Sequence, residues 1–282
     1  MRKKRILKLT AAAVLLLVIY CIWGTYSLQT SHFVLTSSKV PQEFDGFVIV
    51  QISDLHNREF GRDQNRLLSE IRVAEPDIIV VTGDLTDRRT PDIETAMKFI
   101  SGAAEIAPVY YVTGNHEAWS EEFPELKKRI DESGIYFMDD KSVQIVRGGR
   151  SVRIIGLSDP AFFLSEYERL SDTSNITQTI STLSDPDFFQ ILLSHRPELI
   201  DIYKEQEIDL VFSGHTHGGQ IRLPFIGALY APDQGFFPEY AAGQYAEGST
   251  VMIVSRGLGN STFMPFRFMN RPEIVVLTLL CE

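Results

Sequence analysis

The feature that most constrains this chain is the placement of its histidines, five of which lie in short polar clusters directly after apolar runs. These clusters are Asp54-Leu55-His56, Gly114-Asn115-His116-Glu117, Ser194-His195 and Gly214-His215-Thr216-His217. Asp84, in Gly83-Asp84-Leu85-Thr86-Asp87, follows another apolar run. Because each run has the composition of a strand, the chain delivers metal-ligand side chains to strand ends, where a sheet edge gathers them. The pattern therefore predicts a metal site.

The order of the apolar patterns predicts the fold class. Over residues 47–134, buried-strand patterns alternate with amphipathic helix patterns, and Thr90-Pro91 reads as the N-cap and first residue of one helix. Paired strand patterns follow, with Gly148-Gly149 as a hairpin turn. Residues 224–248, rich in Gly, Pro and aromatic residues, read as a long surface loop. A βαβ half followed by a mixed half predicts an α/β chain in which two sheets pack face to face with helices outside.

The N-terminus joins a basic run, Arg2-Lys3-Lys4-Arg5, to an uncharged apolar stretch over residues 9–23. Three interpretations compete: a cleaved signal peptide, a lipoprotein modified at Cys21, and an uncleaved membrane anchor. The bulky residues after the apolar core fit a signal-peptidase site poorly. Tyr20, directly before Cys21, fits a lipoprotein site poorly as well.

An uncleaved anchor fits best, because the stretch with its flanks approaches the roughly 17 to 25 residues that span a bilayer. The basic end would stay in the cytoplasm, and Tyr20, Trp23 and Tyr26 would lie at the far interface. We therefore expect an anchor over residues 1–30 and one globular domain over residues 31–282. The expected location is the cell membrane, single-pass, with the domain outside the cytoplasm.

Net charge argues against one class of partner. The formal charge of the chain is -10, and the five basic residues near the N-terminus contribute +5, which leaves about -15 for the rest. Non-specific nucleic-acid binding needs basic surfaces, so no nucleic-acid partner is predicted. A metal centre can nevertheless supply positive charge locally to a phosphorylated substrate. Nothing in the pattern specifies an oligomeric state.

The candidate ligands are nitrogen and oxygen donors without thiolate, namely Asp54, His56, Asp84, Asn115, His195, His215 and His217. This mixture fits Mn, Fe or Zn and disfavours Ca or Mg. Seven ligands are too many for one tetrahedral zinc but suit two divalent ions that share a bridge. Two ions about 3.5 to 4 Å apart activate a water and stabilise in-line displacement at phosphorus, so the donor set predicts phosphoester hydrolysis.

Spacing leaves two local geometries open. In Asp54-x-His56 and His215-x-His217, the paired side chains point to the same side if strand geometry persists, and both can then face one ion. In a tight turn they could instead reach two ions.

These motifs, in this order over residues 47–221, resemble the signature of the calcineurin-like metallophosphoesterases. The resemblance implies a four-layer α/β/β/α sandwich of two mixed sheets with a dimetal site at strand ends. It also implies the ligand sets: Asp54, His56 and His217 for one ion, Asn115, His195 and His215 for the other, and Asp84 as the bridge.

The resemblance further implies catalytic roles. His116 matches the family's non-ligand histidine, which interacts with the scissile phosphate and protonates the leaving oxygen. Asp87 would orient His116, since a carboxylate on one ring nitrogen fixes the tautomer and raises basicity. Arg88 matches a phosphate-binding arginine of the protein-phosphatase branch, although Arg89 follows it where that branch has glycine.

Together with the anchor, Ser194-His195-Arg196-Pro197 and His217-Gly218-Gly219-Gln220-Ile221 resemble a bacterial membrane-associated branch, in which some members cleave phosphodiester or pyrophosphate bonds. The leading hypothesis is a dimetal phosphodiesterase acting at the membrane surface. One alternative is hydrolysis of lipid-linked or nucleotide-sugar pyrophosphates, with the aromatic loop at the interface. A non-catalytic metal-binding scaffold is another. Residues 256–260 form either a tight turn, which we favour, or a phosphate contact.

Overall fold

A computed structural model describes residues 2–164, 172–260 and 265–282 of the chain. Its α-helices are α1 (Arg2–Tyr26), α2 (Asn65–Val73), α3 (Ile93–Ala104), α4 (Asn115–Ala118), α5 (Phe123–Glu132), α6 (Ser174–Leu183) and α7 (Ile200–Glu205). Its strands are β1 (Gln29–Ser37), β2 (Phe47–Ile52), β3 (Ile78–Thr82), β4 (Val109–Val112), β5 (Tyr136–Phe137), β6 (Lys141–Arg147), β7 (Arg150–Gly156), β8 (Phe189–Leu193), β9 (Leu210–Ser213), β10 (Arg222–Leu223), β11 (Gly227–Ala228), β12 (Tyr230–Ala231), β13 (Gly235–Phe236), β14 (Gly243–Glu247), β15 (Thr250–Val254) and β16 (Glu273–Cys281).

Two six-stranded mixed sheets organise the domain. The first has the order β1-β16-β2-β3-β4-β5, in which β16 and β2 are antiparallel and the other neighbours are parallel. The second has the order β14-β15-β9-β8-β7-β6, with antiparallel pairs at its two edges and parallel pairs between them. The predicted α/β class with two mixed sheets is confirmed.

Alternating residues of the inner strands pack on different sides. Ile49 of β2 joins a cluster that also contains Ile191 of β8 and Phe212 of β9, so the two sheets share a core. The next residue, Val50, belongs to a second cluster, which includes Leu67 of α2 and other residues of the helices beside the first sheet. This period of two explains why the strands are apolar on both faces.

Some local predictions were wrong. Helix α3 begins at Ile93 and not at Pro91, because the Asp92 side chain is the N-cap and accepts the backbone N–H of Thr95 at 3.0 Å. The stretch read as one long loop contains two short hairpins and strand β14. Gly and Pro mark tight turns as well as loops, which explains that error.

Strand β1 was not predicted at all. It pairs in parallel with β16 at an edge of the first sheet. Its half-exposed sequence, rich in Ser and Thr, lacks the apolar run by which the inner strands were recognised.

The predicted ligand motifs all follow inner strands of the two sheets. The motif of Asp54 follows β2, that of Asp84 follows β3, and that of Asn115 follows β4. In the second sheet, His195 follows β8 and His215 follows β9. Because all five strands are mutually parallel within their sheets, their carboxyl ends bring the motifs to one edge of each sheet.

Helix α1 is long and apolar enough to cross a membrane by length and composition, and its most apolar window is not buried in the domain. At about 1.5 Å per residue it can traverse a hydrocarbon core of about 30 Å. Its carboxyl end, in contrast, is docked. Thr25 is buried, and its hydroxyl accepts a hydrogen bond from the backbone N–H of Arg267 at 2.9 Å. Its backbone carbonyl accepts a hydrogen bond from the Arg58 guanidinium, also at 2.9 Å.

Candidate metal centre

The structure brings all seven predicted ligands together as two groups around Asp84. We call Asp54, His56 and His217 the His56 trio, and Asn115, His195 and His215 the His195 trio. All seven side chains are buried. Donor atoms of Asp84 and of the whole His56 trio lie within 4.8 Å of one another.

In the His56 trio, the two imidazoles approach each other through Nε2. The Nε2 atoms of His56 and His217 are 3.1 Å apart, and Asp54 Oδ1 lies 3.5 Å from the Nε2 of His217. Asp54 Oδ1 is 4.0 Å from the Nε2 of His56. Ligands about 2.0 to 2.2 Å from one ion are separated by about 3 to 4 Å, so these spacings fit a shared divalent cation.

In the His195 trio, His195 is the central side chain. Its Nε2 lies 3.1 Å from Asn115 Oδ1 and 3.2 Å from Nδ1 of His215. Its Nδ1 donates to the backbone carbonyl of Thr82 at 2.8 Å, which leaves Nε2 to face the site. These distances also fit a common cation.

One oxygen of Asp84 lies between the trios. Its Oδ2 is 3.5 Å from the Nε2 of His56 and 3.3 Å from the Nε2 of His195. Its Oδ1 accepts the backbone N–H of His116 at 2.8 Å, so the carboxylate is held in one orientation. This is the placement expected of a bridging ligand.

The electrostatics of the two trios differ. Burial, reinforced by His116, lowers the pKa of His56 to about 3, and burial also lowers the pKa of His217. Burial disfavours the charged form of His195 too, but the carboxylates of Asp84 and Asp54 outweigh it and raise the pKa of His195 to about 10. His56 and His217 are therefore neutral imidazoles, whereas the neighbouring carboxylates favour the protonated form of His195.

Several of the predicted ligands have a left-handed backbone conformation. Among the predicted ligands, Asp54, His56, Asp84, His215 and His217 have φ between 43° and 68°. Strand geometry therefore does not persist beyond the strand ends, and the tight-turn alternative describes His215 and His217, which face different trios. Such conformations are costly for residues other than glycine and cluster at functional sites.

Glu117 stabilises these strained turns by hydrogen bonds to their backbone. It is fully buried, and its carboxylate accepts the backbone N–H groups of Asp84 and Gly114 at 2.8 Å each. Burial, with the nearby Asp84 charge, raises the pKa of Glu117 to about 8. Gly114 is needed at its position, because a Cβ there would lie 2.2 Å from Asp84 Oδ1.

The three predicted catalytic residues lie beside the His56 trio. The ring centroids of His56 and His116 are 4.3 Å apart. The Nδ1 of His116 accepts the backbone N–H of Arg88 at 3.1 Å, while Asp87 Oδ2 is 3.7 Å from that Nδ1, beyond hydrogen-bond range. The Arg88 guanidinium lies 4.9 Å from the centroid of the Trp119 ring. The roles assigned to these residues stay predictions.

A network that the sequence did not predict supports the His195 trio. The Nε2 of His215 lies 3.0 Å from Asp233 Oδ2, and this hydrogen bond lowers the pKa of Asp233. Arg196 also contacts Asp233 and forms a two-pronged pair with Asp159 at 2.8 and 3.0 Å. The only local signal was the position of Arg196 next to His195, because Asp159 and Asp233 lie in distant loops.

The turn at residues 256–260 supports the His56 trio. The backbone N–H of Leu258 donates to the carbonyl of Ser53 at 3.0 Å, and the N–H of Gly259 donates to the carbonyl of Asp54 at 2.6 Å. The N–H of Gly257 donates to the Ser255 hydroxyl at 3.0 Å. These amides are engaged within the chain, which agrees with the tight turn rather than with a phosphate contact.

Comparison with known proteins identifies relatives along most of the chain. The calcineurin-like phosphoesterase family model matches residues 47–219. The uncharacterized metallophosphoesterase YkuE of Bacillus subtilis (strain 168) is 33% identical over 262 residues, covering 90% of this chain and 86% of that protein. The phosphodiesterase YaeI of Escherichia coli (strain K12) is 26% identical over 242 residues, covering 83% and 82%. A Danio rerio transmembrane protein with a metallophosphoesterase domain is 25% identical over 248 residues, covering 86% of this chain and 55% of that protein.

Proposed function

This chain belongs to the calcineurin-like phosphoesterase family, and we propose that it is a phosphodiesterase that uses two divalent metal ions and acts at a membrane surface. Membership of the family makes it a hydrolase of phosphoesters. The preference for diesters is supported by its similarity to a relative named as a phosphodiesterase. We also infer the finer four-layer arrangement, because separate apolar clusters lie between the sheets and between each sheet and helices.

The observation that carries the proposal is the position of Asp84 Oδ2, within 3.5 Å of a histidine of each trio. A single oxygen in that position can serve two cations. The Nδ1 atoms of His56 and His217 are buried without a hydrogen-bond partner among the described residues, so these rings are placed for what their Nε2 atoms bind. The donor set of imidazole, carboxylate and amide oxygen fits Mn, Fe or Zn.

In this assignment Asp54, His56 and His217 would hold one ion, Asn115, His195 and His215 would hold the other, and Asp84 would be shared between them. When bound, the ions supply Lewis acidity, which lowers the pKa of water and neutralises charge on phosphorus oxygens. The protein's own contribution is to fix the donors before substrate arrives. Glu117 and the turn at residues 256–260 do this through backbone hydrogen bonds.

His116 is the proposed proton donor to the leaving oxygen. Because its Nδ1 accepts the backbone N–H of Arg88, the neutral ring carries its proton on Nε2. Burial lowers the pKa of His116, against the opposing effects of Asp84 and Asp87, so the resting ring is neutral at pH 7. Protonation of the leaving oxygen would use the imidazolium, which forms when the ring takes up a proton from solvent and which returns to the neutral ring on transfer. Arg88, held over Trp119, is the proposed contact for a phosphate oxygen. We retain Asp87 as an electrostatic partner of His116 at 3.7 Å.

Action at a membrane is supported by the docking of α1. The domain uses Thr25 as a hydrogen-bond partner of Arg267 and Arg58, contacts that cleavage of the helix would remove. One relative is named as a transmembrane protein. We therefore favour a retained single-pass anchor with the domain outside the cytoplasm.

The test is turnover of a soluble aryl phosphodiester by the full chain in detergent, after metal removal and reconstitution with Mn. We expect Mn-dependent product, faster than from the matching monoester, and loss of at least about a thousandfold in kcat for Asp84→Ala. Asp201→Ala, on the exposed face of α7, is the matched control and should retain full activity. Full activity of Asp84→Ala would refute the dimetal assignment.

A further inference from the structure

Two apolar side chains stand at the tip of the hairpin formed by β10 and β11. Leu223 pairs with Gly227, and the turn between them carries Phe225, which is fully exposed, and Ile226, which is 58% exposed. Such side chains are more stable in an apolar environment than in water. A hairpin tip of this composition is typical of a surface that meets an apolar partner.

The base of the hairpin is joined to the segment that packs on α1. The backbone N–H of Arg222 donates to the carbonyl of Phe268 at 3.0 Å. The Phe268 ring lies 5.6 Å from the ring of Tyr20 in α1. Tyr20 precedes the last helical residue, Tyr26, by about 9 Å along the axis, so the hairpin base lies beside the helix and not below its end.

Further apolar side chains lie on the same segment. Phe266 and Met269 flank Phe268 and are 43% and 42% exposed. We call Phe225, Ile226, Phe266 and Met269 the apolar collar. Because Phe268 contacts α1, the segment that carries Phe266 and Met269 lies beside the exposed apolar surface of that helix.

Arginines border this surface although the domain as a whole is acidic. Arg58 lies 4.3 Å from the centroid of the Tyr26 ring, and Arg271 lies 5.1 Å from that of Trp23. Arg222 stands at the base of the hairpin and donates to the carbonyl of Gly218 at 3.2 Å. Arginine and aromatic side chains side by side suit the headgroup level of a bilayer, where phosphates and apolar chains meet.

We propose that the apolar collar is a second membrane contact, in which Phe225 and Ile226 enter the bilayer that α1 crosses. A bilayer is the occupant because Phe268, in the segment that carries Phe266 and Met269, packs on Tyr20 of the unburied, membrane-length helix α1. The contact holds the metal centre at the headgroups: His217 lies just before the hairpin, and its carbonyl accepts from Asn270, next to Met269, at 2.6 Å. Resting on the proposed function, the substrate class is then a phosphoester in a lipid headgroup.

Insertion is tested without any measurement of activity. The full chain is reconstituted in vesicles of phosphatidylcholine and phosphatidylglycerol, and a tryptophan is added at the tip as Phe225→Trp. Val146→Trp, at an exposed position on edge strand β6, is the matched control and shares the native Trp23 and Trp119 signal. Relative to that control, we expect blue-shifted emission from Phe225→Trp and quenching of at least about half of the added signal by brominated lipids. Equal quenching of the two variants would overturn the insertion.

The substrate class is tested with the double variant Phe225→Asp, Ile226→Asp, and Val146→Asp serves as the control. We expect the ratio of headgroup-phosphodiester to soluble aryl-diester turnover to fall by about tenfold or more in the double variant only. An unchanged ratio with insertion confirmed would overturn the lipid substrate and leave the membrane contact standing. Absence of turnover on both substrates by the unmodified chain would refute the proposed function, whereas the quenching result would still decide insertion.

Discussion

The two trios contain similar types of metal ligand but differ in the hydrogen-bond partners of their histidine rings on the side away from the site. In the His195 trio, His195 donates to the carbonyl of Thr82 and His215 faces Asp233, so both rings are fixed on the side away from the site. In the His56 trio, neither His56 nor His217 has a hydrogen-bond partner for Nδ1 within the described part of the chain. A second partner fixes the tautomer and raises the basicity of a ligand. We therefore expect the His195 trio to bind its ion more tightly.

The difference shows that a donor set does not by itself specify two equal sites. The trios are distinguished by two hydrogen-bond partners behind the rings, the Asp233 carboxylate and the Thr82 carbonyl. Neither group is a metal ligand in the assignment. The two central histidines also differ in their titration, because the carboxylates of Asp84 and Asp54 raise the pKa of His195 whereas burial lowers that of His56. Two experiments test the comparison, and a third tests the carboxylate that supports the Asn115 motif.

The largest effect is expected from removing one histidine of each trio. His56→Ala and His195→Ala should each lower kcat on the aryl diester by about a thousandfold or more, since the proposed in-line displacement uses both ions. Their metal contents should differ: after dialysis, His56→Ala should keep about one ion per chain and His195→Ala clearly less. Elemental analysis of the two proteins measures this. Equal metal contents, or the reverse order, would contradict the unequal-site model.

A smaller effect is expected from Asp233→Asn. The variant removes the carboxylate that contacts His215 but removes no metal ligand. The metal affinity of the His195 trio should therefore fall by about 10- to 100-fold, while that of the His56 trio is unchanged. Competition with a chromophoric chelator resolves the two affinities. Asp201→Asn removes an exposed carboxylate elsewhere and serves as the control. The support argument fails if Asp233→Asn binds both ions as the unmodified chain does.

The smallest effect concerns Asp139, which accepts the backbone N–H and the hydroxyl of Thr113, just before the Asn115 motif, at 3.0 and 2.8 Å. Burial raises its pKa to about 7 from the ordinary 3.8, so its protonated form is favoured in the fold. Its contribution to stability is therefore present below pH 3.8 and is lost as the pH rises through about 7.

Asp139→Asn cannot ionise and should lack this loss. The free energy of unfolding of the unmodified chain, minus that of the variant, should decrease between pH 5 and pH 8. Urea unfolding of both proteins at the two pH values measures it, and metal effects common to both proteins cancel in the difference. A difference independent of pH would show that Asp139 is not held protonated.

Much of the centre was predictable because its signals are local. A run such as Phe47–Ile52 followed by Asp54 and His56 combines strand composition with donor chemistry within a few residues. Parallel strands then place such motifs at one sheet edge, whatever the loops between them do. The inner strands and the α/β class follow from the same patterns.

The parts that were missed depend on contacts between distant segments. Asp159 and Asp233 meet Arg196 across 37 residues in each direction, and no local pattern marks either carboxylate. Strand β1 was missed because its Ser- and Thr-rich sequence has no apolar run, and only its pairing with β16, from the other end of the chain, makes it a strand. The start of α3 differs for a local reason, since the Asp92 cap outweighs the preference of proline for the first turn.

By itself, the sequence determined which side chains are available as ligands and at which strand ends they lie, because periodicity and residue type are properties of short segments. Only the tertiary structure decided which ligands lie in which trio, which of their rings have a second hydrogen-bond partner, and where α1 docks on the domain. Left-handed turns redirect side chains after the strands end, and buried carboxylates from remote loops set their charge environment. Both effects arise from packing, which no single segment encodes.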